Sequence, residues 1–312
     1  MAPAAFAAIL ASLVTLAGGC GGSSPEAVLS FGADAGRADV GSSSHDSGSH
    51  STADAHDSGK GGGGLVVPDG GSPGTPDSGA CTPNLTGRLR DFVNKPGFTP
   101  ASALDDDFEN EEADDRGIVE TDLGSDLKPV YAHGNNDTAT THGQTQFDWW
   151  YRDTAGKNIA YDYSIALTPL DGGAGIQSYD NQEFFPLDGR GWNDEYTADD
   201  GNLHNFSFTF ELHTTFEYQG GETFTFIGDD DVFVFVSNKL VVDLGGVHSA
   251  ETKSISLDTL VTDDPSATPV PLTLKATYPL DIFYNERHTV SSHFRMDTSI
   301  AFNNCSAIIA PQ

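Results

Sequence analysis

Two kinds of hydrophobic pattern recur in the second half of the chain. Residues 205–213 alternate strictly between apolar and polar, and the apolar positions share one face: Phe206, Phe208, Phe210 and Leu212. A period of two is typical of a half-buried β-strand, with its polar side toward solvent. Residues 232–236 (VFVFV) are instead continuously apolar, which predicts a strand covered on both faces.

Further strands follow at short intervals. Residues 222–227 continue the alternation, and a turn at 237–239 predicts a hairpin between 232–236 and 240–244. Three more strands are predicted toward the C-terminus, at 271–278, 280–284 and 294–302. Since no long helical period competes with them, the sequence predicts one antiparallel β-sandwich or barrel of roughly 230 residues.

One short helix is predicted near the start of this region. Leu85, Leu89 and Phe92 fall on one helical face, which indicates a helix at about 86–93.

The first 80 residues have a different character. Residues 5–16 are apolar but too few to span a bilayer, and they end in small residues before Cys20, as in a secretory signal. Residues 16–20 (LAGGC) resemble a bacterial lipobox, which predicts a lipid anchor on Cys20 at the outer membrane, with simple secretion as the alternative. Residues 21–80 are rich in Ser, Gly and Asp and are predicted to be a disordered linker.

Charge and cysteine content agree with export. The 312 residues carry 15 Lys and Arg against 46 Asp and Glu, a net charge of −31. This field repels nucleic acid but neither divalent cations nor neutral sugars. With Cys20 assigned to lipid, Cys81 and Cys305 remain at the two edges of the folded region. A disulfide between them is predicted for an oxidising compartment, and two free thiols are the alternative.

An acidic run stands directly before the apolar run at 232–236. Gly228 is followed by three carboxylates, Asp229, Asp230 and Asp231. Carboxylates at the mouth of a buried strand repel one another, so a proton, an Arg partner or a metal ion must neutralise them. Because only oxygen ligands are in view, the cation that suits them best is Ca²⁺. The alternative is a solvated acidic turn.

Several stretches resemble the pattern of one known family: RDF at 90–92, FDWWYRD at 147–153, FFPLDG at 184–189, the run 204–248 and DIFYNERH at 281–288. The most specific are GDDDV at 228–232 and VDLGGVH at 242–248. They are similar to the fibro-slime domain, a branch of the protective-antigen-fourteen β-sandwich superfamily. The resemblance implies an all-β antiparallel sandwich over residues 81–312, with its superfamily-like core at about 145–306.

The resemblance also implies a calcium site. In related yeast adhesins, an Asp-Asp pair joined by a cis peptide bond holds Ca²⁺, and the ion binds sugar hydroxyls. Asp229 and Asp230 are similar in position to that pair, and a second calcium loop would fall at Asn285 and Glu286. A cis non-proline peptide bond costs about 3 to 4 kcal/mol, so we expect one only where ligands fix it.

Structural roles are predicted for the neighbouring loop. We expect Asp243 to accept hydrogen bonds from the loop that follows it, and Gly245 and Gly246 to supply positive φ at a tight turn. His248 is expected to hold this turn by hydrogen bonds, with ligand contact as the alternative. We expect Arg287 to form an ion pair with the nearby carboxylates rather than to take part in acid/base chemistry.

The function expected from these features is a calcium-dependent carbohydrate-binding or adhesion module, secreted or at the cell surface. Trp192, in a Gly-rich loop, is the aromatic side chain expected to stack on a sugar, whereas Trp149, Trp150 and Tyr151 are expected in the core. The alternative function is a structural component of extracellular matrix or slime in which calcium only stiffens a loop. No catalytic signature is recognised, so an enzyme is not expected.

Overall fold

The computed structural model describes residues 84–109, 111–170, 175–260 and 270–303. The predicted signal, linker, lipid site at Cys20 and disulfide between Cys81 and Cys305 lie outside these residues. Among the described residues, no helix has the length and apolar character needed to span a lipid bilayer.

The described residues form fifteen strands and one α-helix. The strands are β1 (Asn84–Asp91), β2 (Ala113–Asp114), β3 (Ile159–Ala166), β4 (Thr168–Pro169), β5 (Gln177–Asn181), β6 (Glu195–Thr197), β7 (Leu203–Asn205), β8 (Phe208–Glu217), β9 (Thr223–Gly228), β10 (Val232–Val236), β11 (Lys239–Leu244), β12 (Gly246–Val247), β13 (Glu251–Ser256), β14 (Thr277–Glu286) and β15 (Phe294–Thr298). The helix is α1 (Gln144–Trp150), and single 3₁₀ turns occupy Ala101–Ala103 and Leu257–Thr259.

Two antiparallel sheets make the sandwich. One has six strands in the order β11-β10-β14-β8-β1-β3, and the other has five in the order β13-β9-β15-β5-β4. The apolar core between them includes alternate side chains of the central strands, such as Phe208, Phe210 and Leu212 of β8 and Phe226 of β9. The predicted all-β antiparallel sandwich is therefore confirmed.

The apolar strand β10 is covered on both faces, as predicted. Val232, Val234 and Val236 enter the core between the sheets. Phe233 and Phe235 face the other way, into a second apolar cluster on the outer side of the six-stranded sheet. Because successive side chains of a strand point to opposite faces, both sets must be apolar when both faces are covered.

The second cluster is supplied by the chain between β1 and β3. Its largest members include Phe108, Phe147, Trp150 and Tyr151, all fully buried. The core position expected for Trp150 and Tyr151 is confirmed. The helix that carries Trp150, α1, was not predicted, because seven residues are too few for a clear helical period.

The predicted hairpin is confirmed by the pairing of β10 with β11. Its two central residues, Ser237 and Asn238, both have positive φ, 53° and 64°. Positive φ at both central positions is typical of a type I′ turn, whose twist matches that of the flanking strands.

Three predictions of local structure are wrong. The helix predicted at about 86–93 is absent, and residues 86–91 belong to strand β1, because Leu85 and Leu89 are four apart, a spacing that also puts them on one face of a strand. The strands predicted at 271–278 and 280–284 are instead one strand, β14, which begins at Thr277.

The third correction concerns β8, whose polar face does not meet solvent. Glu211 and His213 are only 3% and 8% exposed. The chain between β1 and β3 forms an outer layer on this side of the six-stranded sheet. From this outer layer, Lys128 donates to both carboxylate oxygens of Glu211 at 2.6 and 2.7 Å. Strand β8 is thus buried on both faces. Its polar face can be buried because charged side chains such as Glu211 are ion-paired there.

Candidate functional site

The acidic run at 229–231 connects β9 to β10 at one end of the sandwich. The three side chains are 5%, 3% and 0% exposed for Asp229, Asp230 and Asp231. A solvated acidic turn, the alternative interpretation, is therefore excluded. Because a buried charge is costly unless it is compensated, each of the three carboxylates must have a partner or lose its charge.

Asp231 is compensated by Arg287, and both side chains are fully buried. Arg287 Nε donates to Asp231 Oδ2 at 2.6 Å and Nη2 donates to Oδ1 at 3.1 Å, which makes a bidentate pair. The guanidinium also donates to the carbonyls of Asp107 and Thr140 and lies over the Trp150 ring at 4.7 Å. The ion pair expected of Arg287 is confirmed.

Asp230 is held by backbone amides. Its Oδ1 accepts from the His248 amide at 3.0 Å, and its Oδ2 accepts from the amides of Arg287 and His288 at 2.7 and 3.0 Å. Burial nevertheless raises the pKa of Asp230 to about 7, against the opposing influence of Arg287 and these amides. This carboxylate is hydrogen-bonded yet electrostatically undercompensated.

The peptide bond between Asp229 and Asp230 is trans, so the expectation of a cis pair is wrong. The cis bonds of the described residues are Thr99–Pro100 and Thr289–Val290. Asp230 instead has a positive φ of 52°, which turns the chain sharply between β9 and β10.

Asp229 has weaker partners than its neighbours. Its Oδ2 accepts from the Ser291 hydroxyl at 3.4 Å, and the amides of His293 and Ala250 lie close to it. Burial raises the pKa of this carboxyl above its usual value. A cation would relieve the burial penalty of Asp229 more directly than that of Asp231, which already has Arg287.

Asp229 and Asp230 line a pocket with a volume of about 160 Å³. Its other lining residues come from β12 and from the chain on either side of the pocket: Glu112, Val247, His248, Ser249, His288, Thr289, Val290 and Ser291. Neither Lys nor Arg is among these described residues. The pocket therefore joins acidic oxygens, two imidazoles and a small apolar surface.

The structure places Glu286 near this acidic pair. Its carboxylate is fully buried, and Oε2 accepts from the Tyr284 hydroxyl at 2.9 Å. Its Oε1 has no hydrogen-bond partner among the described residues, although the Ser292 hydroxyl lies nearby. Burial, and then the charges of Asp230 and Asp229, raise the pKa of Glu286 well above its usual value.

The structure does not bring the Asn285 amide to the pocket. Asn285 Oδ1 accepts from the Tyr151 hydroxyl at 2.7 Å, and Nδ2 donates to Asp231 at 3.2 Å. Asn285 is fully buried and does not line the pocket. The side chain of its neighbour Glu286 points to the opposite face of the sheet, because successive residues of a strand face opposite sides.

The 243–248 loop has the structural contacts expected of it, with one difference. Asp243 accepts from the Gly245 amide at 3.0 Å and from the Gly117 amide at 2.8 Å. Gly246 has the predicted positive φ, 123°. Gly245 does not, and it is required for another reason, since a Cβ there would lie 2.7 Å from the Asp115 carbonyl.

His248 has the predicted structural role, and its alternative role of ligand contact stays a prediction. Its ring nitrogens lie 3.1 Å from the Ser249 carbonyl and 3.3 Å from the Leu244 carbonyl, contacts that hold the turn. It also lines the pocket. Its ring lies near the carboxylates of Asp114 and Glu251, with the potential ligand atoms within 4.8 Å of one another, but Arg116 already pairs with Glu251.

Trp192 lies outside the pocket lining. It is half-buried and packs edge-on against Phe98, with ring centroids 5.5 Å apart. Its backbone amide donates to Asp91. These contacts fix the Gly-rich loop to the end of β1, and the expected stacking on a sugar at this residue stays a prediction.

Sequence reasoning missed the acidic residues that precede α1. Glu112 lines the pocket. The Glu109 carboxylate lies near the Thr289 amide, and its pKa is raised to about 7, chiefly by burial and further by the charges of Asp194 and Asp230, against the opposing influence of His288. The run DDDFE at 105–109 resembles the acidic run at 229–231 in composition, and this likeness was the available signal.

A family model for the PA14 domain matches residues 179–309. This chain carries a PA14-type domain. Its relatives include three proteins of Dictyostelium discoideum: psiR, 43% identical over 60% of this chain and 19% of psiR; psiD, 38% over 61% and 37%; and psiC, 34% over 65% and 40%. The chain thus spans less than half the length of each of these relatives.

The solved structures that this chain matches include a PA14 sugar-binding domain from an RTX adhesin, 16% identical over 33% of this chain and 53% of that one, with a TM-score of 0.21. The PA14 domain of the MpAFP antifreeze protein is 10% identical over 34% and 50%, with a TM-score of 0.21.

The similarity to the psi proteins reaches beyond the PA14 family model. The psiR and psiD matches cover 60% and 61% of the chain, more than residues 179–312 make up. Each match therefore extends to residues before 179. The outer layer of the PA14-type domain, or part of it, is shared with these relatives.

Proposed function

We propose that this PA14-type domain is a carbohydrate-binding or adhesion module whose pocket binds sugar together with Ca²⁺. One observation carries the proposal: two almost fully buried carboxylates, Asp229 and Asp230, line a single pocket that has no Lys or Arg in its lining. Buried acids without a cationic partner favour a bound cation.

The donor set fits Ca²⁺. Asp229 and Asp230 would hold the ion, whereas Glu286, fully buried nearby, does not line the pocket. Both aspartates offer carboxylate oxygens, the ligands that Ca²⁺ prefers. Bound there, the ion would supply a positive centre that attracts hydroxyl oxygens. Asn285 is not included, because Tyr151 and Asp231 already use its amide.

The rest of the lining suits a neutral sugar. His248 and His288 can donate or accept hydrogen bonds, and Val247 and Val290 offer apolar surface. Val290 is 43% exposed, so it can contact the apolar face of a ring. The net charge of −31 opposes anionic glycans.

A purely structural role for calcium is the second candidate, and a specific observation favours it. Both oxygens of Asp230 already accept hydrogen bonds from backbone amides, so this residue helps to define the loop. In that case the domain would be a non-catalytic component of extracellular matrix or slime.

Glycan-array binding and calorimetry, with and without a chelator, test the proposal. We expect wild type and Glu120→Gln, an exposed acid outside the pocket, to bind glycan in millimolar calcium and to lose binding in chelator. Asp230→Asn should lose binding under both conditions. Calcium-induced stabilisation without any glycan binding would leave the structural role, and the absence of both effects would refute the calcium site.

We further propose export with a lipid anchor on Cys20, on the basis of the signal-like and lipobox-like residues before it. Metabolic labelling with a radioactive fatty acid should label the wild-type protein and not Cys20→Ser. An unlabelled wild-type protein in the medium would indicate simple secretion instead.

A further inference from the structure

The turn of the β6–β7 hairpin contacts one wall of the pocket. This turn, residues 198–202, is closed by the Ala198 amide, which donates to the Asn202 carbonyl at 2.9 Å. Within it, the Asp199 amide donates to the Val290 carbonyl at 3.2 Å. Since Val290 lines the pocket, the position of the turn and the position of this wall are coupled.

His204, on β7, has a carboxylate at each of its two ring nitrogens. Nδ1 lies 2.5 Å from Asp188 Oδ2, and Nε2 lies 3.3 Å from Asp200 Oδ2. The ring is stacked on Phe185, with centroids 3.9 Å apart, and lies edge-on to Phe206. A neutral imidazole has one N–H and can donate to only one of the two carboxylates. Only the protonated ring can donate to both.

The two carboxylates belong to two different segments. Asp200 lies in the turn, where its Oδ1 accepts from the Asn202 amide at 2.8 Å. Asp188 lies between β5 and β6, and its Oδ1 accepts from the Asn205 amide at 2.9 Å. The protonated ring of His204 therefore joins the turn to the chain that precedes the hairpin.

The charges that act on His204 favour its protonated form. Among the described residues, its salt bridges are those with Asp188 and Asp200. Asp199, in the same turn, is exposed. Although burial lowers the pKa of His204, the hydrogen bonds and charges of Asp188 and Asp200 raise it above its usual value.

The charged groups of β6 and its surroundings have partners of their own. Tyr196 lies opposite His204 in the β6–β7 pair and stays neutral, because burial raises the pKa of its hydroxyl. Glu195 accepts from the Gly189 amide at 3.1 Å. Lys95 lies over the Tyr196 ring, 5.6 Å from its centroid. The two aspartates thus remain the groups that determine whether His204 keeps its proton.

We propose that His204 is a pH-sensitive clamp: its protonated ring holds turn 198–202 in place and, through Asp199, the Val290 wall of the pocket. When the pH rises and the ring loses its proton, one carboxylate loses its donor and the turn is released. The clamp needs no ligand, whereas its effect on sugar binding rests on the proposed function.

Hydrogen exchange of the turn in the full chain, corrected for the intrinsic effect of pH on exchange, tests the clamp without a ligand. We expect the protection of the Asp199 amide in wild type to fall about fivefold or more between pH 6 and pH 9. His204→Gln should show the low protection at both pH values. His133→Gln, at an exposed histidine outside the hairpin, should behave like wild type.

Asp200→Asn separates the clamp from a general loosening of the hairpin. An Asn side chain can accept from the protonated ring or donate to the neutral one, so its turn should stay protected at both pH values. Protection that does not depend on pH in wild type, or that falls with pH in Asp200→Asn as in wild type, would overturn the clamp.

Calorimetry with the neutral glycan that wild type binds most tightly on an array tests the link to the pocket. The ratio of the affinities of wild type and His204→Gln cancels the titration of Asp229 and Asp230, which both proteins share. In saturating calcium, wild type should bind about threefold or more tightly than His204→Gln at pH 6 and equally at pH 9. Equal affinities at pH 6 would overturn the link. A wild type that binds no glycan would refute the proposed function, and hydrogen exchange would still decide the clamp.

Discussion

Arg287 determines how the three neighbouring aspartates differ. Its guanidinium has two donors on Asp231 and others on the Asp107 and Thr140 carbonyls. This fork geometry neutralises one carboxylate completely and leaves the other two facing the pocket. A Lys could not replace it, because an ammonium has no planar pair of donors to match a carboxylate.

Removing Arg287 should therefore destabilise the fold strongly. We expect Arg287→Ala to lower the free energy of unfolding by about 3 to 5 kcal/mol, because Asp231 would remain buried without a partner. Urea denaturation followed by circular dichroism measures the change.

Arg295→Ala is the control, since Arg295 forms its ion pair with Asp297 near the surface. This substitution should lower the free energy of unfolding by about 1 kcal/mol or less. Similar losses for the two variants would show that the Arg287 pair contributes no more than a surface ion pair.

How far the sequence could predict this site depends on the range of the contacts. The burial of the acidic run followed from its position before an apolar strand, and the Arg287 pair followed from the excess of nearby acids. The contact of Asn285 with Tyr151 was not predictable, and for the acids at 109 and 112 the sequence offered only the likeness of the run 105–109 to the run 229–231. Where these side chains lie depends on packing between residues more than a hundred positions apart, which a local pattern does not encode.

At the scale of elements, the second apolar cluster explains both the confirmed and the wrong predictions. A continuous apolar run such as β10 indicates two covered faces without saying what covers them. A polar alternation such as that of β8 indicates solvent only when no charged layer packs on it. Here Lys128 and Arg90 pair with Glu211, and these partners lie far from β8 in sequence.

The β2–β12 pair holds this outer layer to the pocket, and Gly246 makes the pair possible. Its φ is 123°, and a Cβ at this position would lie 2.3 Å from the Ala113 carbonyl. Gly246→Ala should therefore separate β2 from β12, lower the unfolding temperature and weaken calcium binding, because Glu112 and His248, which flank this pair in sequence, both line the pocket.

Gly189→Ala provides the comparison, since Gly189 also has a positive φ, 67°, but no neighbour within 4 Å of a Cβ. Gly189→Ala should lower the free energy of unfolding only by the strain of a left-handed backbone conformation, about 1 kcal/mol. Calorimetric unfolding and calcium titration of both variants separate a steric effect from a conformational one. Equal effects of the two substitutions on calcium affinity would contradict the idea that the β2–β12 pair holds the pocket wall in place.

At the scale of the molecule, the residues matched by the family model are not a complete sandwich. Strands β1 and β3, at one edge of the six-stranded sheet, and α1 all precede residue 179. Without them β8 would become an exposed edge, and the buried Glu211 would lose Arg90 and Lys128. The outer layer is thus part of the folding unit and of the pocket at once.

The buried acids should also set how stability depends on pH when calcium is absent. Burial raises the pKa values of Asp91, Glu109 and Asp230 to about 7 each. A carboxyl whose pKa is higher in the folded state contributes stability that is full below its unfolded pKa, near 4, and is lost as the pH rises through about 7. Glu211, with a pKa lowered to about 2, changes stability only in acid.

In chelator, the free energy of unfolding should therefore fall by about 2 kcal/mol or more between pH 5 and pH 8, measured by urea denaturation at each pH. Asp230→Asn removes one of the three acids and should show a smaller fall. Calcium binds the ionised carboxylates, so saturating calcium should reduce the fall in wild type and have little effect on Asp230→Asn. A stability in chelator that stays constant or rises over this range would mean that these acids are already compensated within the fold, and the argument for a cation at the pocket would lose its electrostatic basis.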